Sequence, residues 1–359
     1  MANFINRDKS MSELLSVIPL GLILFTYLVW GFRTLPQERW QFIATLPLVK
    51  DADGQWRGVN LTYYGFFSAA AYVVAVVVLL TLLGAVGIPS GQILALVIGV
   101  LLVCVPASRI VAGIVERKRH TFSVAAAFFV ALFAVPLAVF GLNLAANDAK
   151  QALPFLPVMA AAAIAYAFGE GLGRLGCISF GCCYGKRLEE TPRWVQKLFA
   201  RWHFVFLGRT KKIAYAGGLD GARVLPVQGL TALPYVTAGL LGFWLFLRGR
   251  EGIAFVIAIA VTQLWRLYSE TLRADYRGGR QVSAYQWMAV AGIVYAGLAG
   301  WLLPAFPHPR PDLLAGAATL WHPGMLLFLQ VLWAVIFIYT GRSSVTEAKV
   351  AVHVCHDRI

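Results

Sequence analysis

Apolar positions in this chain gather into unbroken runs of about 20 residues, each closed off by a polar or basic stretch. That is the length a helix needs to cross the hydrocarbon core of a bilayer. Nine runs stand out, at about 11–32, 62–85, 91–113, 121–143, 153–176, 226–247, 252–270, 284–304 and 320–340. A lipid-exposed backbone has no water to satisfy its polar groups, so spans must be helices or the strands of a closed barrel. Ala/Val/Leu stretches such as Ala69–Leu83 do not alternate as barrel strands would. The pattern predicts an all-α polytopic membrane protein, with about eight or nine transmembrane helices around a central cavity and a small extramembrane subdomain. The first run is too long for a signal-peptide core and continues into the mostly bulky Leu28-Val29-Trp30-Gly31-Phe32, so it reads as a retained helix.

Two connections are long. Residues 33–61 hold Pro36, Asp51, Asp53, Gly54 and Arg57 and read as a polar surface stretch. Residues 177–225 are rich in Lys and Arg, and there Trp194, Leu198, Phe199 and Trp202 recur at helical spacing. Such a segment suits a helix lying in the membrane interface with its aromatics at headgroup depth; a solvated loop is the plainer alternative.

Composition agrees with the pattern. Mean hydropathy is +0.70, with 59% hydrophobic and 13% charged residues, which is not the balance of a soluble enzyme. The net charge of +14 sits almost entirely in the loops. It can set orientation by the positive-inside rule or attract anionic phospholipid headgroups. No nucleic-acid recognition fold accompanies it. The five cysteines (Cys104, Cys177, Cys182, Cys183, Cys355) do not suggest a disulfide framework.

Against this background, charged residues inside apolar sequence carry the chemistry. At a membrane midplane each costs about 2.5–3.5 kcal/mol on insertion scales, and so marks a binding or catalytic site. Glu170 and Arg174 are four residues apart at the end of one run, just before Leu-Gly-Cys-Ile-Ser-Phe-Gly-Cys-Cys-Tyr-Gly. Gly173 and Gly176 beside Arg174 let the backbone pack or turn tightly. A second run ends with Arg266, Glu270 and Arg273, which fall on one helix face at i, i+4 and i+7. Two arginines with paired acids, on helices ending at the same face, form a plausible phosphate clamp, since a guanidinium grips two phosphate oxygens at once. The alternative is structural: the pairs neutralise each other and tie helices together. For Cys177, Cys182 and Cys183, zinc spacing lacks its second pair and a nucleophile lacks an obvious base, so space-filling thiols beside glycine are favoured.

These residues resemble the prolipoprotein diacylglyceryl transferases, polytopic enzymes of the bacterial inner membrane. The family signature runs Gly-Arg-x-Gly-Asn-Phe-x-Asn-x-Glu-x-x-Gly. Gly173, Arg174, Gly176 and Gly185 fit it. Cys177 stands for the first Asn, Ile178 for Phe, Phe180 for the second Asn and Cys182 for Glu, so the Gly-Cys-Cys-Tyr-Gly ending marks a divergent member. Tyr63-Tyr64-Gly65 is similar to the family's Trp-Tyr-Gly. Leu225-Pro226-Val227-Gln228 is similar to its His-Pro-Ser-Gln, with Thr231 where a Glu follows. Arg266-x-x-x-Glu270-x-x-Arg273 matches in full, and Ser283-x-x-Gln286 follows as in the family.

The resemblance spans about 60–290. It implies a transferase-like membrane core at 61–304 (with 177–225 as its basic extramembrane subdomain), an extra helix and loop at 1–60, and an extra helix and tail at 305–359. The implied reaction moves a diacylglyceryl group from phosphatidylglycerol to the signal cysteine of a prolipoprotein, releasing glycerol phosphate. Its implied partners are phosphatidylglycerol, the prolipoprotein signal peptide and membrane lipids, with no nucleic acid, no metal and no cofactor. Arg174 and Arg266 are assigned to phosphate binding in catalysis. Glu270 and Arg273 support them, Tyr64 and Gln228 line the headgroup site, and Gly173 and Gly176 shape it.

One departure matters. The family's His-Gly-Gly has no counterpart, because His120 follows Arg117-Lys118-Arg119 and lacks the glycines. Two further readings therefore stay open: another acceptor for the same lipid chemistry, or a non-catalytic lipid binder or transporter. Orientation is also contested. Alternating helices put the most basic loops on one face, which the positive-inside rule makes cytoplasmic and the family makes external.

Overall fold

The computed structural model describes residues 2–116, 124–146, 152–276, 282–303 and 310–359. All nine apolar runs form helices: α1 (Ala2–Thr34), α2 (Tyr63–Ala85), α3 (Ser90–Glu116), α4 (Val124–Ala145), α5 (Phe155–Phe180), α8 (Val227–Leu247), α9 (Glu251–Leu272), α10 (Ala284–Leu302) and α12 (Pro323–Gly341). Three short helices, α6 (Arg193–Leu198), α7 (Lys212–Gly217) and α11 (Leu313–Ala318), complete the set. Eight of the long helices are long and apolar enough by themselves to cross a membrane. The protein is an all-α polytopic membrane protein with a small sheet subdomain.

The ninth long helix, α10, carries Tyr285, Gln286 and three glycines. It nevertheless has to traverse. Hydrogen bonding of Lys186 N to Leu272 O fixes the end of α9 at one end of the bundle. Asp312 N donates to Ala85 O at the opposite end, where α12 begins. Among the described residues between them, α10 is the helix that connects the two.

At the centre stands α5, packed on α2, α8 and α9. Small residues make this possible. A Cβ on Gly176 would sit 3.1 Å from Tyr64 O of α2, and one on Gly171 3.0 Å from Val236 of α8. Outside this core, α1 lies on α8, α10 on α9 and α4, and α11 and α12 on α2. The helices α3 and α4 pack chiefly on each other and stand off the α2–α5 core.

Residues 33–61 are not a plain polar stretch. They contain a hairpin, β1 (Phe42–Lys50) and β2 (Trp56–Thr62), turned at Asp51–Gly54, with Gly54 at φ +79°. Nor is the C-terminal segment a simple tail. Its strand β5 (Arg342–Val350) pairs antiparallel with β2, Trp56 opposite Val350, giving the order β1-β2-β5. Pairing supplies what the local sequence lacks, since β1 is exposed along most of its length and buries little apolar surface.

The 177–225 region also differs from expectation. The last turn of α5 reaches Phe180, so Cys177 is helical, and the amphipathic helix is only α6, six residues long. Pro192 starts it and Phe199 caps it, which leaves Trp202 beyond its end. Trp194 and Trp202 are 66% and 74% exposed. After them come a two-stranded ribbon, β3 (Phe204–Val205) with β4 (Arg223–Val224), and α7. Hydrogen bonds of Gln41 Nε2 to Thr210 O, Leu207 N to Pro36 O and Ala274 N to Tyr184 O tie these segments together at one end of the bundle.

The sheet is anchored where α2 crosses α12. Thr62 caps α2 and donates to Gly341 O at 3.0 Å, and Gly65 meets Gly341 backbone to backbone with no room for a side chain. Gly65→Ala is expected to destabilise the protein by about 1–3 kcal/mol, as overpacking does. The readout is a lowered thermal transition in detergent. Gly99→Ala, in open space, serves as the control.

Candidate functional site

Polar residues recur along one face of α5 at Tyr166, Glu170, Arg174 and Cys177, spaced by three or four. That face borders a cavity of about 860 Å³ between α2, α3, α4, α5, α9 and the start of β5. Its walls are of two kinds. Toward α3 and α4 they are apolar, with Val100, Leu101, Leu132 and Val135. Toward the sheet and loop they carry six basic side chains (Arg109, Arg174, Lys212, Arg266, Arg273, Arg342) against two acidic ones, Glu170 and Asp275. The charge balance is strongly positive.

At its centre, Glu170 Oε1 accepts from Arg266 Nη2 of α9 at 2.9 Å and also from Arg174 Nη2, one turn along its own helix. Arg266 Nη2 donates as well to the Tyr166 hydroxyl at 3.1 Å. Glu170 and Arg266 are buried and Arg174 nearly so, at 3%, 8% and 12% side-chain exposure. One carboxylate thus serves two guanidiniums. Arg174 Nε and Arg266 Nε, both buried, lack a hydrogen-bond partner among the described residues.

The third arginine departs from the helical expectation. α9 ends at Leu272, and Arg273 continues in extended backbone at φ −83°, ψ 150°, bridged to Gly185. Its side chain makes a bidentate pair with Asp275, both bonds 2.7 Å, and stands 3.5 Å from Glu270. Glu270 therefore supports Arg273, whereas Glu170 supports the other two.

Of the remaining expected site residues, Tyr64 and Gly173 line the cavity, and Gly176 sits at the α2–α5 contact just described. Gln228 borders an adjoining notch shared with Arg174, Arg266, Glu270 and Arg273. Its Nε2 donates to Cys182 O at 2.8 Å, and its buried Oε1 is unpartnered. Ser283 and Gln286 form a capping box at the start of α10, and Gln286 Nε2 reaches Leu267 O of α9, so their work is structural. His120, with Arg117–Arg119, lies outside the described residues. Tyr166 escaped the sequence analysis. Its signal was the polar period of α5, hidden because tyrosine is unremarkable in an apolar run.

The end of α5 determines where the cysteines go. Gly181 adopts left-handed φ +70°, and Cys182 N bonds back to Cys177 O at 3.0 Å, a reversal that stacks residue 182 over 177. Cys183 is also left-handed, at φ 57°, alone among the described non-glycine residues. The three thiols meet at the cavity wall. Hydrogen bonding with Cys177 and Cys182, with Arg273 and Arg174 nearby, holds Cys183 well below the usual thiol range, and hydrogen bonding with Cys177 and Cys183, together with burial, pushes Cys182 above it.

Lys211 fastens the loop beneath this turn. Fully buried, it donates to Ser179 O at 2.5 Å and Leu35 O at 3.3 Å, carbonyls left open at the ends of α5 and α1. Burial lowers its amine from 10.5 to about 8, with Glu38 opposing weakly.

A family model described as prolipoprotein diacylglyceryl transferase matches residues 55–303, more than half of the chain. Neither the curated proteins nor the solved structures contain a match to it.

Two outcomes are expected from this geometry. Glu170→Gln leaves two buried guanidiniums without their shared carboxylate and should lower stability by about 3–5 kcal/mol, read as thermal unfolding in detergent. For Lys211, folded and unfolded chains both carry the ammonium below pH 8, so the folded chain bears its burial cost there. Between pH 8 and 10.5 the folded chain alone is deprotonated, and stability should rise relative to Lys211→Met. A difference flat across that window would refute the assignment.

Proposed function

The chain belongs to the prolipoprotein diacylglyceryl transferase family, and we propose that it transfers the diacylglyceryl group of phosphatidylglycerol to the thiol of a prolipoprotein signal cysteine, releasing glycerol phosphate. One observation carries this reading: Glu170 aligns Arg174 and Arg266 side by side on the wall of a large cavity with an excess of positive charge.

The chemistry follows from that alignment. The acceptor sulfur attacks a glycerol carbon of the lipid, the carbon–oxygen bond breaks, and the electron pair leaves on the phosphate. Negative charge grows on the departing oxygen as the bond stretches. Donors already oriented toward that oxygen stabilise the transition state without reorganising. Arg174 and Arg266, both on the cavity wall, supply such donors. Arg273, locked by Asp275 and Glu270, adds field to the same region. Tyr64 borders the headgroup end, and Gln228 lines the notch that adjoins the arginines. Acyl chains fit the apolar wall of α3 and α4.

A second reading keeps the donor and changes the acceptor. It is favoured by the cysteines that stand where the family has Asn and Glu, at 177 and 182. Purified protein incubated with labelled phosphatidylglycerol and a lipobox peptide separates the two. Labelled thioether peptide supports the first, and glycerol phosphate released only with another thiol supports the second. Binding without turnover would leave a lipid-binding protein. Arg174→Ala and Arg266→Ala should each lower turnover by at least about a hundredfold, the scale of losing one transition-state donor, while the protein still inserts. Unchanged rates in both would defeat the clamp.

A further inference from the structure

The transferase chemistry makes no use of the three cysteines, yet the backbone goes to some length to assemble them. Two left-handed residues, Gly181 and Cys183, flank Cys182 and coil the chain so that thiols at 177, 182 and 183 converge. A left-handed cysteine is a strained conformation, of the kind retained where the surroundings impose it, and such strain clusters at functional sites. Space filling alone does not require it, since a glycine at 183 would close the turn without strain.

The geometry points to a three-thiolate site for a soft divalent ion of the zinc class, with its fourth position open to the cavity. The three sulfurs lie within 4.8 Å of one another. Ligands at about 2.3 Å from zinc stand roughly 3.8–4.0 Å apart, so closure asks for a contraction of about 1 Å at most. All three cysteines line the cavity, so an ion can reach them. Three thiolates and a divalent ion sum to one negative charge. Arg174, Arg273 and Lys212 stand within electrostatic reach of the cluster and offset it. Three protein ligands and one vacancy is the arrangement of reactive rather than structural zinc sites.

The vacancy suits a fourth sulfur, that of the acceptor, and this step rests on the transferase reading above. The acceptor thiol gives its proton to solvent on binding and is held as a thiolate at neutral pH. Its lone pair forms the new carbon–sulfur bond, the carbon–oxygen bond breaks, and glycerol phosphate departs with the electron pair. No redox change occurs. The thioether product is a neutral, weaker ligand than a thiolate and is released.

The test uses the full chain in detergent, reduced and stripped of metal, with Co²⁺ as a spectroscopic stand-in for Zn²⁺. Expected is one Co²⁺ per chain, with thiolate-to-cobalt charge-transfer absorption and tetrahedral ligand-field bands that Zn²⁺ abolishes. Cys177→Ser, Cys182→Ser and Cys183→Ser should each weaken binding at least about tenfold. Cys104→Ser and Cys355→Ser should not. Should a serine variant fail to fold, alkylation of the wild type replaces it: Zn²⁺ is expected to protect these three thiols, mapped by mass spectrometry. A wild type without charge-transfer bands, or alkylation indifferent to Zn²⁺, overturns the site. A cysteine-containing lipobox peptide should then shift the cobalt spectrum, and its serine counterpart should not. Failure of that shift with the metal bound removes the acceptor role alone. Peptide turnover in metal-free protein would likewise remove it while leaving the transferase reading intact.

Discussion

A single carboxylate between two guanidiniums organises this protein. Glu170 is bonded to Arg174 within α5 and to Arg266 across the α5–α9 contact, with Glu170 and Arg266 buried and Arg174 nearly so. Burying ions costs several kcal/mol each unless partners compensate. Here compensation is incomplete, because the triad retains one positive charge and two unpartnered Nε donors. On the proposed reading, the triad's own positive charge meets the headgroup phosphate in the position that Glu170 fixes.

That position depends on how closely α5 is packed. Its backbone comes near α2 at Gly176 and near α8 at Gly171, so the helix that carries Glu170, Arg174 and Cys177 cannot shift without moving its neighbours. Interiors packed this tightly are stiff. The loop after α5 is secured in turn by Lys211 from below and by Gln228 against Cys182. Stiffness here is electrostatic preorganisation by other means.

What could be read from sequence divides by range. Helices announced themselves, because twenty apolar residues in a row admit few alternatives in lipid. The partnership of Glu170 with Arg174 followed from their spacing by one turn. Arg266 joining the same carboxylate did not, since it comes from 96 residues away and its own neighbour Glu270 was the nearer candidate. Arg273 continued a helical period on paper, but the helix stops one residue earlier to let the chain bridge Gly185. The sheet was invisible for the same reason. Asn60 and Thr346 meet across 286 residues, and strands that bury little carry little hydrophobic pattern. The left-handed Cys183 lay beyond any propensity, because glycine, not cysteine, predicts that conformation.

The two-sided lining of the cavity bears on what kind of anion is at issue. A soluble phosphate compound would satisfy the arginines but leave the wall of Val100, Leu101, Leu132 and Val135 facing water. Wetting that surface costs about 25 cal/mol for each square ångström. A phospholipid satisfies both halves at once, headgroup to the guanidiniums and acyl chains to α3 and α4. Those two helices pack mainly on each other and stand off the core. A lipid could therefore approach from the bilayer between them and α2 or α5, without its tails crossing water. On the proposed reading the positive loops serve the same end, since they would draw an anionic headgroup toward the face where the arginines lie. On the proposed reading, charge that would otherwise set orientation recruits the lipid.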